Sequence, residues 1–402
     1  MVDIEKIYNY SIGTLWNQKK SIYWLLKNKS LRNAWNYIKV KLFVREGEGA
    51  KGSIAIMLSP LWRRFPSLCP YPYNFEIEIT HRCNKRCITC EHTYWKEDTN
   101  WDLKFEDFKR TCGYFPKLIW VNLTGEGDAF LNKDYLKMIK YLKDRDITIY
   151  LVDSFDLINE KIAEQLIKLN VNGIYISFDA ATKQTYEKIK VGCKFERTLK
   201  NIKKIIELKK KYKTPFPHLY FRYVYNKLNY KEMPDFINLV RSLGTREDLG
   251  EEMDIGFTGL LTFPEIQKYF LKFGDIQKKI IDETHKRSKQ CGIPIKFEVN
   301  DRRLNINKCM AWMEPYIMRD GYVMPCCAVM MSNKRDFLRK HALGNVNKEP
   351  FKKIWNSKKY SIFKKYINNP RKPVPSICAN CRPFDTRKRQ KKYGILDISK
   401  IK

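Results

Sequence analysis

Cys83, Cys87 and Cys90 stand in a C-x3-C-x2-C spacing just after an alternating segment that begins near Phe75. Three thiolates so close together can converge on one soft metal centre. A [4Fe-4S] cube has more iron corners than three cysteines can fill, so one iron would stay open to a ligand that is not protein. A structural zinc wants four ligands, and His81 and His92 stand near enough in the chain to supply the fourth. The loop alone therefore leaves iron–sulfur and zinc both open. A second set of cysteines lies far downstream. Cys309 precedes Asp320-Gly321, a hairpin signal between apolar alternations, and Cys326 and Cys327 follow it. A hairpin brings Cys309 at the start of one strand near Cys326 at the end of the other. Cys378 and Cys381 add a C-x2-C pair, and a four-cysteine zinc ribbon could have the same spacing.

The elements that must hold these residues follow from periodicity. Phe75, Ile77 and Ile79 alternate with Glu76, Glu78 and Thr80, the period-2 pattern of a strand. Strands are predicted at 75–80, 118–124, 147–153, 173–179, 218–225 and 254–260. Helices are predicted near 104–112, 133–144, 158–169, 182–190, 196–211, 231–243 and 275–290. Strands alternating with crossover helices imply an α/β fold with a parallel sheet, and in barrels of this type the chemistry sits at the carboxyl ends of the strands. Gly125-Glu126-Gly127-Asp128 follows the second strand, Asp153-Ser154-Phe155 ends the third, Ser177 and Asp179 end the fourth, and Arg222 lies on the fifth. Glycines let the main chain approach a ligand closely, and Glu126 is an anionic acceptor suited to an ammonium. Asp179 could equally serve as a helix N-cap.

The apolar strand followed by this cysteine loop resembles the cluster loop of the radical S-adenosylmethionine (radical SAM) enzymes, and the six strand–helix units are similar to their partial (β/α)6, TIM-like barrel. The resemblance implies that Cys83, Cys87 and Cys90 hold a [4Fe-4S] cluster whose open iron binds the amino and carboxylate groups of SAM. It implies further that reductive cleavage of SAM yields a 5'-deoxyadenosyl radical, which takes a hydrogen atom from substrate. Family members usually have an aromatic residue just before the third cysteine; Thr89 stands there, which leaves adenine packing to Tyr94 or Trp95. Gly125 and Glu126 resemble the family's G-G-E-P segment, implying a hold on the SAM amino group. Ser177-Phe178-Asp179-Ala180-Ala181-Thr182 resembles S-I-D-G-A-T of the peptide-modifying branch, implying that Ser177 and Asp179 hydrogen-bond SAM ribose or substrate. Arg222 could face the SAM carboxylate or sit outside the site.

The C-x11-G-x4-C spacing from Cys309 to Cys326, the Leu343-Gly344-Asn345 segment, the helix around residues 351–367 and the closing C-x2-C resemble a SPASM or twitch domain. That module carries auxiliary clusters. A full SPASM domain has a further run of cysteines that is missing here, so the resemblance implies one auxiliary [4Fe-4S] cluster. Its ligands would be Cys309, Cys326, Cys378 and Cys381, with Cys327 as the rival to Cys326. Such a cluster would accept an electron from a product radical or position the substrate.

At 402 residues and 44% hydrophobic, the chain can bury a large core and a smaller one. A basic helical extension is predicted over 1–70, the barrel over 71–300, the auxiliary domain over 301–385 and a solvated basic tail over 386–402. In the extension Trp24, Leu31, Trp35, Ile38 and Leu42 recur at helical spacing, a stripe expected to dock on the barrel. Gly47, Gly49 and Gly52 end it, and Pro60–Tyr73 leads into the first strand. The net charge of +33 is spread along the chain and reads as compositional; contact with nucleic acid or an anionic membrane is open to it but not expected. No apolar run approaches the ~18 residues of a membrane span, and Asp3, Glu5 and Lys6 interrupt any secretory leader, so the expected location is cytoplasmic. Isolated Cys69, Cys112, Cys193 and Cys291 read as buried thiols rather than disulfides. The function implied is that of a radical SAM oxidoreductase acting on a peptide or protein side chain and served by a flavodoxin- or ferredoxin-type electron donor. The alternatives are a small-molecule (aminosugar or alcohol) dehydrogenase of the same family and a non-catalytic zinc or iron–sulfur module that binds nucleic acid.

Overall fold

The computed structural model describes residues 18–43, 54–95, 101–261, 263–298 and 304–401. Seven parallel strands lie side by side in chain order: β1 (Asn74–Glu78), β2 (Trp120–Thr124), β3 (Thr148–Asp153), β4 (Gly173–Ser177), β5 (His218–Tyr225), β6 (Ile255–Gly259) and β7 (Ile295–Glu298). The first six are the predicted strands. The crossover helices Phe105–Gly113, Tyr135–Lys143, Glu160–Lys168, Lys183–Ile189, Phe195–Lys211, Met233–Leu243 and Lys278–Cys291 also fall where periodicity put them. β7 lies at one edge of the sheet, so the barrel is open, a partial TIM-like core.

Alternation along each strand makes two faces. Ile77, Leu123, Leu151, Ile176, Phe221 and Phe257 pack beneath the helices in the main core. The other face carries Glu76, Asn122, Tyr175, Arg222 and Thr258 and lines the lumen. Strands of a parallel sheet buried on both faces normally read as continuous apolar runs; the polar alternates mark a lumen that uses them.

The lumen floor is closed by the N-terminal extension, α1 (Lys19–Asn28) and α2 (Leu31–Phe43). Val40 packs with Trp120, Tyr150 and Tyr220, and Lys41 Nζ donates to Tyr150 Oη at 2.8 Å and to Glu252 at 2.7 Å. The extension docks as expected, but through only part of the expected stripe: Trp24 packs on Phe216, with ring centroids 5.8 Å apart, and Ile38 and Leu42 are half-buried. Leu31 and Trp35 are 76% and 55% exposed, whereas Leu25, Ala34, Tyr37 and Val40 are buried. Polar anchors set the helix phase: Ser30, Asn33 and Asn36 donate to Asp146 at 3.1, 3.1 and 3.2 Å. With those donors and the small Ala34 turned inward, Leu31 and Trp35 face out. Gly47, Gly49 and Gly52 lie outside the described residues, and Pro60 sits inside α3 (Ile54–Arg64) rather than in an extended lead-in.

The auxiliary part extends the barrel's own sheet. β8 (Leu304–Asn305) pairs with Phe384–Asp385. β9 (Tyr316–Ile317) and β10 (Tyr322–Met324) form the predicted hairpin, with Gly321 at φ +85° in its turn. β9 then pairs in parallel with β1, and β11 (Gly344–Asn345) joins β10. The edge of β1, otherwise a row of unpaired backbone groups, is thus covered by the auxiliary hairpin. The basic tail is packed rather than solvated. Ile395–Leu396 pairs with Val374–Pro375, and buried Arg389 donates to the carbonyls of Ile367, Lys372 and Pro373 at 2.7, 2.8 and 2.9 Å. A guanidinium's fixed fork of donors suits such a carbonyl cluster, while Lys388, Lys391 and Lys392 do stay exposed. No helix among the described residues is long and apolar enough to cross a membrane.

Candidate active site

The cysteine loop leaves the end of β1 and is gripped from two directions. The N–H groups of Arg86 and Ile88 donate to the carbonyls of Val191 and Ile189 at 2.8 and 2.9 Å. On the other side the Asp128 N–H donates to the Arg82 carbonyl at 2.8 Å, and Lys85 forms a buried ion pair with Asp128. Gly127 makes this second contact possible, since a Cβ there would lie 2.5 Å from the Thr80 carbonyl oxygen and 2.6 Å from that of Arg82. Gly125, at φ +151°, would bring a Cβ to 3.1 Å from Glu78. The glycines after β2 therefore let one loop lie directly against the other.

Cys87 neighbours both Cys83 and Cys90. Burial pushes all three thiols up, and Lys190 and Lys85 partly offset this at Cys87. Thiols this reluctant to ionise alone become thiolates when a metal cation binds them. His92 is engaged elsewhere. His92 Nε2 donates to the His81 carbonyl at 2.6 Å, and His81 faces Glu126 at 3.8 Å. Among the described residues no three His, Cys, Asp or Glu side chains close around a single ion.

Burial pushes the Glu126 carboxyl up to about 7. Beside it, Arg335 at the start of the auxiliary helix Arg335–His341 lies 3.2 Å away. The same guanidinium holds Glu78 at 2.5 and 2.9 Å, and Arg319 adds its N–H and Nη1 at 3.2 and 3.3 Å. Burial works to raise the fully buried Glu78, but Arg335 and Arg319 outweigh it and hold the carboxyl below its usual range. Burial pushes His81 down to about 3, and both its ring nitrogens lack a hydrogen-bond partner among the described residues. A raised carboxyl next to a neutral imidazole with open nitrogens fits a cationic amino group.

The remaining candidates divide. Ser177 ends β4 half-buried on the lumen side, opposite Arg222 in register. Asp179 is committed to the protein: Oδ1 accepts from the Val224 N–H at 2.8 Å and Oδ2 pairs with Lys190 at 2.9 Å. It is not the N-cap either, a role taken by Thr182. Arg222 lies in the lumen but points toward the floor, 2.6 Å from Asp254 and 4.8 Å over the Tyr175 ring. Tyr94 and Trp95 both pack on Phe263, with ring centroids 5.6 Å apart in each case.

The downstream thiols form one buried group. Cys326 neighbours Cys309 and Cys381, and Cys378 neighbours all three, with burial pushing Cys326 and Cys378 well up. Cys327 turns the other way, toward Glu76 of β1. Two further contacts join this group to the barrel mouth. Arg335 reaches Glu78 and Glu126, and Arg382, the residue after Cys381, forms a buried ion pair with Glu91, the residue after Cys90. Sequence reasoning missed Glu78, Arg335, Arg382 and Lys190. The available signal was Glu76 and Glu78 alternating with isoleucines in a strand of a two-sided sheet, since buried carboxylates need partners.

The model of the radical SAM superfamily matches residues 77–240, and that of the iron-sulfur cluster-binding SPASM domain matches residues 309–382. The tungsten-containing aldehyde ferredoxin oxidoreductase cofactor-modifying protein of Pyrococcus furiosus is 25% identical over 323 residues, covering 75% of this chain and 86% of that protein. Streptococcus suis SuiB bound to precursor peptide SuiA is similar over 93% of this chain and 82% of its own, with TM-score 0.59 and 13% identity. Native anSMEcpe with bound AdoMet is similar over 77% and 89%, with TM-score 0.52 and 18% identity. At such identities the two structures speak for the fold alone. A radical SAM core implies SAM and a [4Fe-4S] cluster, and a SPASM domain implies auxiliary iron–sulfur. With a cysteine loop after β1, a glycine–glutamate loop after β2 and a second thiol group joined to the sheet edge, this chain belongs to the radical SAM superfamily and carries a C-terminal SPASM domain.

Proposed function

We propose that this radical SAM enzyme modifies a side chain of a peptide or protein, with Cys83, Cys87 and Cys90 holding the SAM-binding cluster and Cys309, Cys326, Cys378 and Cys381 holding one auxiliary cluster. When bound, the cluster and SAM supply the radical chemistry of reductive SAM cleavage. The chain's own residues bind and orient. Glu126 would accept the SAM ammonium, Gly125 would let the loop that carries Glu126 lie against the root of the cysteine loop, and Arg335 would position Glu126. Ser177 would offer its hydroxyl to SAM ribose or substrate, whereas Asp179 supports the loop through Lys190.

The observation that carries this reading is the pair of links Glu78–Arg335 and Glu91–Arg382. They tie both thiol groups to one barrel mouth, so that a substrate entering it would meet both. Cys309, Cys326, Cys378 and Cys381 would hold a group able to accept an electron, and the shared mouth supports an oxidative reaction on the substrate. The precursor peptide held by SuiB supports a peptide substrate. A second reading is favoured by the Pyrococcus relative, whose name specifies cofactor modification: a small polar molecule would suit the Asn122, Arg222 and Thr258 lining of the lumen. The free thiols suit a reducing, cytoplasmic setting with a flavodoxin- or ferredoxin-type donor. Family membership sets aside the non-catalytic nucleic-acid module.

The test is release of 5'-deoxyadenosine from SAM under anaerobic reduction. Cys87→Ala should abolish it, and Cys378→Ala should retain SAM cleavage uncoupled from product. Equal cleavage by both variants and the parent would overturn the division of labour.

A further inference from the structure

The outer face of the N-terminal extension is apolar where the inner face is already satisfied. α1 and α2 bury Leu25, Ala34, Tyr37 and Val40 against the floor, yet Tyr23, Leu26, Leu31 and Trp35 are 66%, 49%, 76% and 55% exposed. Leu31 and Trp35 are one helical turn apart and share a face. The pattern continues past α2, with Leu58, Leu61, Phe65 and Leu68 between 38% and 57% exposed. Eight of the twelve large hydrophobics exposed among the described residues thus lie between residues 23 and 68, concentrated on the extension rather than scattered along the chain.

The charge around these side chains has one sign. The described residues from 18 to 68 include nine lysines and arginines and no aspartate or glutamate. Lys20 and Lys41 turn to Glu247 and Glu252 of the barrel. Others interleave with the aromatics: Lys39 Nζ lies 5.6 Å from the Trp35 ring centre, Lys29 5.9 Å from Trp24 and Arg64 5.5 Å from Phe65. Exposed Leu and Trp edged by Lys and Arg on surface helices is the composition of an interfacial helix, which lays its apolar side chains among lipid headgroups. A second copy of this chain would oppose like charge to like charge. An RNA would use the lysines but has no use for Leu26 and Leu31.

We propose that this face is a peripheral membrane-binding surface that docks the enzyme on an anionic lipid leaflet. Each basic residue close to such a surface strengthens binding about fivefold. The face lies at the barrel floor, opposite the cysteine loops, so docking leaves the catalytic mouth open to substrate and reductant.

The experiment is flotation of the full chain with vesicles of phosphatidylcholine alone and of phosphatidylcholine mixed with phosphatidylglycerol. The chain should float only with the anionic vesicles and be released by salt. The double variant Leu31→Glu, Trp35→Glu should bind at least about tenfold more weakly with unchanged SAM cleavage, and Lys27→Glu with Arg32→Glu should lose the anionic preference. Absence of flotation overturns the proposal. So does flotation unaffected by the double variant, a dimer that the double variant abolishes, or RNA binding that both forms share in place of vesicle binding.

Discussion

Arg335 of the SPASM domain clasps Glu78 of the first barrel strand with both guanidinium nitrogens, at 2.5 and 2.9 Å, and reaches Glu126 at 3.2 Å. One side chain thereby spans the auxiliary module, the root of the cysteine loop and the glutamate expected to meet SAM. Glu78 is wholly buried, and a buried charge of this kind is tolerable only while its partner is present.

Arg335→Gln should therefore destabilise the protein by about 3–5 kcal/mol, read from urea denaturation. Arg335→Lys should recover only part, because an ammonium cannot reproduce the two-pronged grip. A loss under about 1 kcal/mol would mean that Arg319 suffices alone.

Glu126→Gln should weaken SAM binding about 10- to 100-fold, the loss of one hydrogen bond to a charged group. Equilibrium binding of SAM to the reconstituted enzyme measures it. Urea stability should change little, since Glu78 keeps Arg335 engaged; a large stability loss with unchanged SAM affinity would make Glu126 structural only.

Cys326→Ser should lower iron and acid-labile sulfide by one cluster's content, whereas Cys327→Ser should leave both at the parent level. The difference rests on orientation: Cys326 faces the other three thiols and Cys327 faces Glu76. Iron and sulfide assay after anaerobic reconstitution decides between them.

His218 is fully buried beneath α1 and α2, with Ser21 and Tyr37 each 3.3 Å from Nε2, and burial pushes it down to about 3. An unfolded histidine titrates near about 6.5, so between those values the unfolded chain binds more protons. Its contribution to stability is complete above about 6.5 and is lost as pH falls toward about 3. Burial works to raise Glu252, but Lys41 and His218 outweigh it and hold the carboxyl at about 2. Its contribution therefore begins to be lost only below about 4.5. Between about pH 7 and 5 the parent should lose at most about 1 kcal/mol per pH unit through His218, and His218→Gln should remove that slope in urea midpoints.

Local pattern made most of the scaffold legible. Alternation over residues 74–78 and helical period over 195–211 are properties of short windows, and strands β1 to β6 and their crossovers lie where those windows place them. The spacing of Cys83, Cys87 and Cys90 is equally local, because residues that close can meet without knowledge of the rest of the chain. The phase of α2 was only partly legible from its apolar stripe. Asn33, Asn36 and Lys41 find partners at Asp146 and Glu252, more than a hundred residues away.

By itself, then, the sequence determined the α/β order, the two thiol sets and the glycine–glutamate loop between strand and helix. Tertiary structure decided which of Cys326 and Cys327 turns to the other thiols, that Asp179 is bound to Lys190, that Arg389 anchors the tail, and that Arg335 joins the two modules. The physical reason is burial. A charge or thiol removed from water takes its role from whatever partner the fold brings beside it, and those partners lie at separations where neither spacing nor periodicity carries information.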